Sequence, residues 1–377
     1  MNEVRFFLVA GEMSGDTHGA ELMVSLTNQC DFGVRFGGLG GPQMAALAHD
    51  GDLSDWIADA AVVGLWEVLK KYGYFKERFR ETLAAIALYE PDVVVLIDYP
   101  GFNLRLAKAL KKAGYAGKIA YYISPQVWAW NKRRIPVMAE VLDLMICIFP
   151  FEKALYEDSG LKTEFAGHPL VDELQAVPKE ERSAGLLGLF PGSREREVSK
   201  LFPLMLDAAE RLLGQHEGLQ VEAAAANDRM AVLMGSMARE RGVPVSIAVG
   251  QAHGLMQRAT VGVVASGTAT LEAAWFGMPY CLVYKVAWST YLIAKALVKI
   301  EFLGIVNILA RREVVQELIQ HEATPEALQQ CLGQLLNDRP RRENLSTELR
   351  EVCGLLGEGG THDRAASALL GLVRNDD

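Results

Sequence analysis

The sequence predicts an α/β protein made of two doubly wound parallel sheets in succession, with helices closing the chain. Three observations carry this. Short, β-branched apolar runs end abruptly in turn residues, and Val93-Val94-Val95-Leu96-Ile97 is the clearest of them. It is too short for a comfortable helix and apolar on both faces, as a central parallel strand must be. Such runs alternate with helical stretches before and after a polar linker at 176–183, which calls for right-handed strand–helix–strand units in each half. Several runs also feed a small-residue turn that opens a helix, where open α/β sheets hold their ligands.

Composition bounds the function. A chain of 377 residues is long enough for two domains with a substantial core in each. Its net charge of −9 argues against a general nucleic-acid binder, so no nucleic-acid partner is expected. Cys30, Cys147, Cys281, Cys331 and Cys353 are scattered, odd in number and without metal-ligand spacing, which fits a reducing compartment. There is no signal-peptide pattern and no apolar run of the ~18 residues that would span a bilayer, so a cytoplasmic enzyme is the expectation.

In the first half, a strand at 4–9 leads into Gly11-Glu12-Met13-Ser14-Gly15-Asp16-Thr17-His18-Gly19. Around Ser14, Gly15 and Asp16, backbone amides can approach a ligand and a helix N-terminus favours a phosphate. The stretch is neither a dinucleotide fingerprint nor a P-loop, which disfavours a hydride-transfer enzyme. A second glycine-dense loop is expected at 36–42. Each could instead be only a tight strand–helix turn.

Residues 62–80 interleave Val63, Trp66, Leu69 and Phe75 with Lys70, Lys71 and Lys76. Apolar bulk edged with cations suits an anionic bilayer surface or an acyl chain. An amphipathic helix packed on the sheet is the competing reading.

The central strand then ends in Asp98-Tyr99-Pro100-Gly101-Phe102-Asn103. Asp98 stands where a ligand would bind, although a helix cap explains it too. A helix at 104–113 and a strand at 118–123 lead to Ser124-Pro125-Gln126-Val127-Trp128-Ala129-Trp130-Asn131-Lys132-Arg133-Arg134. Gln126, Trp128 and their cationic neighbours read as a loop facing a ligand. A strand at 142–149, Pro150-Phe151-Glu152 and the stretch Gly167-His168-Pro169 complete this half.

In the second half, a strand at 185–190 ends in Pro191-Gly192-Ser193-Arg194. Arg194 can fork onto a phosphate or pair with Glu197. Strands at 219–224 and 245–249 follow. A strand at 261–265 then opens into Ser266-Gly267-Thr268, with Glu272 one helical turn inside. That arrangement offers amides to a pyrophosphate and a carboxylate to a ribose. The tail from 325 to 373 is helical by pattern.

Taken together these stretches resemble the lipid-A-disaccharide synthase family, in its order, from residue 10 to about 315. The carriers are Ala10–Asp16, Ile97–Asn103, Ser124–Trp130, Pro150–Glu152, Gly167–Pro169, Leu189–Arg194, Ala265–Glu272 and Asn307-Ile308-Leu309-Ala310. Ser-x-x-Val-Trp-Ala-Trp is the most specific of them. Some family members carry Asp where this chain has Gly101, so that position receives no catalytic role.

The resemblance implies two Rossmann-like domains facing a cleft, the GT-B arrangement. These would be an acceptor and lipid domain at 1–175, a UDP-sugar domain at 184–345, and C-terminal helices at 346–377 packing back on the first. It implies an inverting transferase that moves a sugar from UDP-2,3-diacylglucosamine to 2,3-diacylglucosamine 1-phosphate (lipid X). Asp98 would be the base, with Arg194, Ser193 and the 266–268 amides stabilising UDP. Glu272 would take the ribose, Asn307 would complete the nucleotide pocket, and Asn103 and His168 join as substrate-side residues. No cofactor and no metal are implied, since no acidic cluster resembles the Asp-x-Asp metal site of other transferases. The enzyme would sit peripherally on the inner face of the inner membrane, and a homodimer is compatible with it. Another UDP-sugar enzyme such as a UDP-N-acetylglucosamine 2-epimerase, or a non-catalytic UDP-sugar sensor, remains the alternative.

Overall fold

The structure, a computed structural model, describes residues 3–31, 33–49, 51–60, 72–286 and 301–374. It divides into two units, Met1–Asp172 with Leu356–Asp377, and Glu173–Leu355. The chain re-enters the first unit at Leu356, after the 346 expected from sequence, because the helix Arg339–Gly354 packs on Ala269–Trp275 of the second unit.

The first unit holds seven strands: β1 (Glu3–Ala10), β2 (Gly33–Gly40), β3 (Leu53–Asp55), β4 (Val93–Ile97), β5 (Lys118–Tyr122), β6 (Leu144–Cys147) and β7 (Thr163–Phe165). Their order is β3-β2-β1-β4-β5-β6-β7 and every pairing is parallel. Alternation along β4 explains why all five of its residues are apolar. Val94 and Leu96 join Phe102, Leu106 and Tyr121 on one face, while Val93, Val95 and Ile97 join Leu22, Met23 and Leu369 on the other. Helices Met13–Gln29 and Thr361–Arg374 together cover that second face, so the chain's last helix seals the sheet its first strand began.

The second unit repeats the plan with β8 (Leu186–Phe190), β9 (Gln220–Ala225), β10 (Ser246–Val249), β11 (Val261–Ala265), β12 (Tyr280–Tyr284) and β13 (Glu317–Ile319). The order is β10-β9-β8-β11-β12-β13, again all parallel. The helix Glu195–Leu213 lays Val198, Leu201, Phe202, Met205 and Leu212 into its core at helical spacing.

Three expectations change. The glycine-dense stretch 36–42 is mostly strand, the end of β2, rather than a loop. Gly38 lies at φ +145, and a Cβ there would stand 1.9 Å from the Leu8 carbonyl oxygen, so glycine lets β2 run this close to β1. The helix after β4 begins at Pro100, not at 104, since proline is preorganised for a first turn. Of the stretch 62–80, residues 62–71 lie outside the described residues, Val63, Trp66, Leu69, Lys70 and Lys71 among them. Its second part opens the helix Tyr72–Tyr89, whose Phe75 meets Trp56 edge-on and whose Phe79 meets Phe102. Those two aromatics therefore pack on the sheet, as the competing reading had it, while Lys76 is exposed.

Candidate active site

In each sheet the strand order reverses direction once, between β1 and β4 and again between β8 and β11. The loops leaving those strands flank a crevice at the carboxyl edge, where doubly wound sheets bind ligands. Asp98, Ser193, Arg194 and residues 266–268 lie at these two places, Gln126, Trp128, His168 and Asn307 follow other strands, and each is described within its own unit.

At the first, β1 pairs with β4 up to Ala10 opposite Ile97, so Gly11-Glu12 and Asp98 emerge side by side. Asp98 and Tyr99 are both left-handed, at φ 43 and 48. For non-glycine residues that costs roughly 1–2 kcal/mol each, so the surroundings must hold it. The Asp98 N–H donates to the Tyr122 carbonyl at 3.0 Å. Its own carbonyl accepts from Asn103 Nδ2 at 2.7 Å and from the Tyr121 hydroxyl. Asn103 Nδ2 also reaches the carbonyls of Ile97 (3.1 Å) and Val9 (3.3 Å), which ties β1, β4 and the turn into one knot. Glycine is required at 11, because a Cβ would stand 2.4 Å from the Tyr99 ring.

The turn aims a largely desolvated carboxyl at the crevice. Burial, reinforced by the charge of Glu12 and opposed by a hydrogen bond from the Tyr99 backbone, pushes Asp98 up to about 6. A carboxyl tuned there can accept a proton near neutral pH.

Around it, Ser14 is exposed in the first helical turn, while Gly15 is buried with its Cβ position 3.2 Å from Ala10 Cβ. Asp16 is fully buried and accepts from the amides of Gly41, Gln43 and Met44 at 2.9–3.0 Å. Asp16 and Asn103 thus hold backbone, not open surface. Gln126 is exposed, whereas Trp128 is buried and donates Nε1–H to Glu152 Oε1 at 2.9 Å. Glu152, whose other oxygen accepts the Phe149 N–H at 3.1 Å, is pushed up to about 7 by burial. Sequence reasoning noted Pro-Phe-Glu but gave Glu152 no role, since only the fold shows its burial. His168 Nδ1 accepts from the Leu170 N–H at 3.1 Å and its ring leans on Phe149 at 5.1 Å.

At the second reversal, Phe190 pairs with Val264, which brings the Pro191–Arg194 and Ser266–Thr268 loops together. Gly192 takes φ 100 and Gly267 φ 149, leaving Ser193, Arg194, Gly267 and Thr268 exposed along the crevice. Arg194 Nη1 lies 3.1 Å from Glu197 Oε1, so the surface ion pair weighed from sequence does form. With the Arg194 side chain 77% exposed, that pair holds weakly and can be exchanged for a phosphate. Glu272 sits 3.5 Å from His253 Nε2, its carboxyl raised chiefly by burial. His253, tilted against Phe276 at 5.7 Å, escaped sequence reasoning because nothing near it in sequence marks it.

Asn307 is fully buried: it donates to the Val315 carbonyl and Glu317 Oε1, and accepts from the amides of Val314 and Val315. It frames the segment after its helix. Among the described residues, one group could offer three metal-ligand atoms, His18, Glu21 and His362, within 4.8 Å of one another. No described helix is long and apolar enough to cross a membrane.

Among solved structures, a UDP-GlcNAc 2-epimerase of Neisseria meningitidis matches 98% of this chain and 100% of its own with a TM-score of 0.60 at 10% identity. MurG of Acinetobacter baumannii matches 98% and 100% with a TM-score of 0.56 at 14% identity. These share the fold. Sequence goes further: lipid-A-disaccharide synthases of Trichlorobacter lovleyi and Syntrophus aciditrophicus are each 38% identical, over 98% and 100% of this chain and 97% and 100% of theirs. The family model described as lipid-A-disaccharide synthetase spans residues 6–368, both crevices included. Carrying that match from the first strand to the last helix, the chain belongs to the lipid-A-disaccharide synthase family.

Proposed function

We propose that the chain transfers the sugar of UDP-2,3-diacylglucosamine to the 6-hydroxyl of 2,3-diacylglucosamine 1-phosphate. The products are the β-1′,6-linked disaccharide 1-phosphate and UDP. The carrying observation is Asp98, a carboxyl held at about 6 at the ligand edge of the first sheet, in a family of glycosyltransferases. Inversion takes a single displacement, so one base suffices to remove the acceptor proton, a contribution typically worth ~10²–10⁴-fold. Asp98 takes that role. Charge developing on the leaving UDP calls for fixed donors. Arg194, Ser193 and the amides of Gly267 and Thr268 supply them, the Ser266 amide being held by the Val283 carbonyl at 3.0 Å, and Glu272 receives the ribose. Asp16, Asn103 and Asn307 act by holding the loops that carry these groups.

The test is direct. Purified protein is given both acylated substrates, and product mass and UDP release are measured. Disaccharide 1-phosphate formed only when both substrates are present supports the reading. Turnover of UDP-N-acetylglucosamine without an acceptor would favour a 2-epimerase instead, and UDP-sugar binding without any turnover would favour a sensor.

A further inference from the structure

Beside Asp98, the helix Pro100–Lys112 and the helix Arg134–Val141 leave a groove between them, a cavity of about 250 Å³ that begins at Pro100 and Gly101. Its floor is apolar, made by Leu104, Val137, Met138 and Val141. Its rim carries Arg105, Lys108, Arg133 and Arg134, and no acidic residue lines it. That rim is out of character for a chain of net charge −9. Elsewhere cations are commonly matched: Lys111 with Asp143, Lys153 with Glu164, Arg78 with Glu81. Arg105, Lys108 and Arg133, all exposed, form no ion pair with any described residue. Both helices also begin at the Gly101–Asn131 end, so the positive ends of their dipoles add to the field of the rim there.

A cationic rim over an apolar floor matches one kind of small molecule, an amphiphile with an anionic head. Drug-sized ligands fill about 300–1,000 Å³, so this groove takes a head group and the start of one chain, not a whole diacyl sugar. We propose that it binds the 1-phosphate of the acceptor, with the proximal part of an acyl chain on the Leu104–Met138 floor. This rests on the transferase reading above. Held by its phosphate next to Pro100 and Gly101, the acceptor is presented at the Asp98 edge of the sheet. The rim then selects for phosphorylated over unphosphorylated acceptor.

The experiment compares wild type with the double variant Arg105→Ala/Arg133→Ala, both exposed positions. Binding of 2,3-diacylglucosamine 1-phosphate and of its dephosphorylated analogue is measured by calorimetry in detergent micelles, apart from turnover. Wild type should bind the phosphorylated form at least tenfold more tightly, and the double variant should lose that preference while binding UDP as before. Val137→Trp, which fills the floor, should weaken the diacyl ligand more than the deacylated sugar phosphate. An unchanged preference in the double variant overturns the proposal. So does an effect that appears only with anionic vesicles and vanishes in micelles, which would make the rim a phospholipid contact. Because binding is read without turnover, a wild type that makes no disaccharide yet keeps the preference refutes the transferase reading and leaves the groove standing.

Discussion

The buried state of Asp98 makes its removal testable in two independent ways. Raising a carboxyl from 3.8 to about 6 means its charged form is disfavoured by ~3 kcal/mol, chiefly through desolvation and secondarily through Glu12. If Asp98 is the base, kcat/KM should fall on the acid side with a midpoint near 6, leaving about a tenth of the plateau one pH unit lower. Asp98→Asn should lower turnover by at least ~10²-fold and abolish that limb. Glu12→Gln should move the limb to lower pH but not down to 3.8, since burial is the larger cause and remains.

The stability sign is the opposite of the usual carboxylate. A folded value above the unfolded one means Asp98 favours folding below about pH 4, and that contribution is lost as pH rises through 6. At pH 7.5 Asp98→Asn should therefore be more stable than wild type, by up to ~3 kcal/mol, with the gain gone at pH 4. Denaturant melts across pH, beside initial rates, provide both readouts. A wild-type rate that is flat from pH 5 to 8, or a variant whose residual rate still titrates near 6, would refute the assignment.

Three further outcomes follow from named residues. Arg194→Ala should weaken UDP binding and slow transfer, with Arg194→Lys only a partial rescue because Lys cannot fork onto two oxygens; equal UDP affinity in all three proteins would reduce Arg194 to its pair with Glu197. His18, held down to about 4 by desolvation and by His362, is half-buried and neutral, so its contribution is present above the unfolded value of 6.5 and lost as pH falls toward 4. His18→Phe keeps a ring against His362 and should gain stability relative to wild type across that window, by up to ~3 kcal/mol, read as a difference in melts because Asp98 and Glu152 titrate in the opposite sense. If the stretch 62–80 meets an anionic membrane, replacing Lys70, Lys71 and Lys76 with Glu should reduce binding to anionic vesicles, at ~1 kcal/mol per residue, and leave UDP binding intact; binding that is unchanged and insensitive to salt would refute that reading.

How far the sequence reads depends on the kind of signal. Short apolar runs with a following turn located β4, β8 and β11, because burial on both faces leaves no polar residue to blur the ends. The turn residues after them were legible for the same reason: a polar residue directly following such a run must emerge at the strand's carboxyl edge. Asp16, Asn103 and Asn307 show the limit. Each lies within a stretch that points to a ligand, yet each turns inward to hydrogen-bond backbone amides or carbonyls. A single chain does not say whether a small polar side chain near a loop faces the ligand or the loop itself. Partnerships across the sheet are equally invisible. Glu12 acts on Asp98 because β1 and β4, far apart in sequence, are neighbours, and His253 meets Glu272 because the helices Ala252–Arg258 and Ala269–Trp275 pack together. For the glycine-dense β2, composition misled, since close strand packing and a turn ask for the same residue.

The two sheets invite one more comparison, because their order is the same through the reversal: β3-β2-β1-β4-β5 in one and β10-β9-β8-β11-β12 in the other. Loop positions therefore correspond. The turn after β1 carries Glu12, and its counterpart after β8 carries Arg194. The residue after β4 is Asp98, and its counterpart after β11 is Ser266. At matching points of one architecture the first unit is acidic and the second cationic or neutral. That inversion suits a displacement in which one substrate must lose a proton and the other must release a diphosphate. Burial, reinforced by the charge of Glu12, pushes Asp98 toward proton uptake. Put an arginine at the Glu12 position and that carboxyl would be drawn down, a weaker base at neutral pH. Put an acid at the Arg194 position and the open amides of Gly267 and Thr268 would face a repelled phosphate. On the proposed reading, Asp98 with Glu12 would serve the acceptor and Arg194 the leaving UDP, each at a matching loop position of its own sheet.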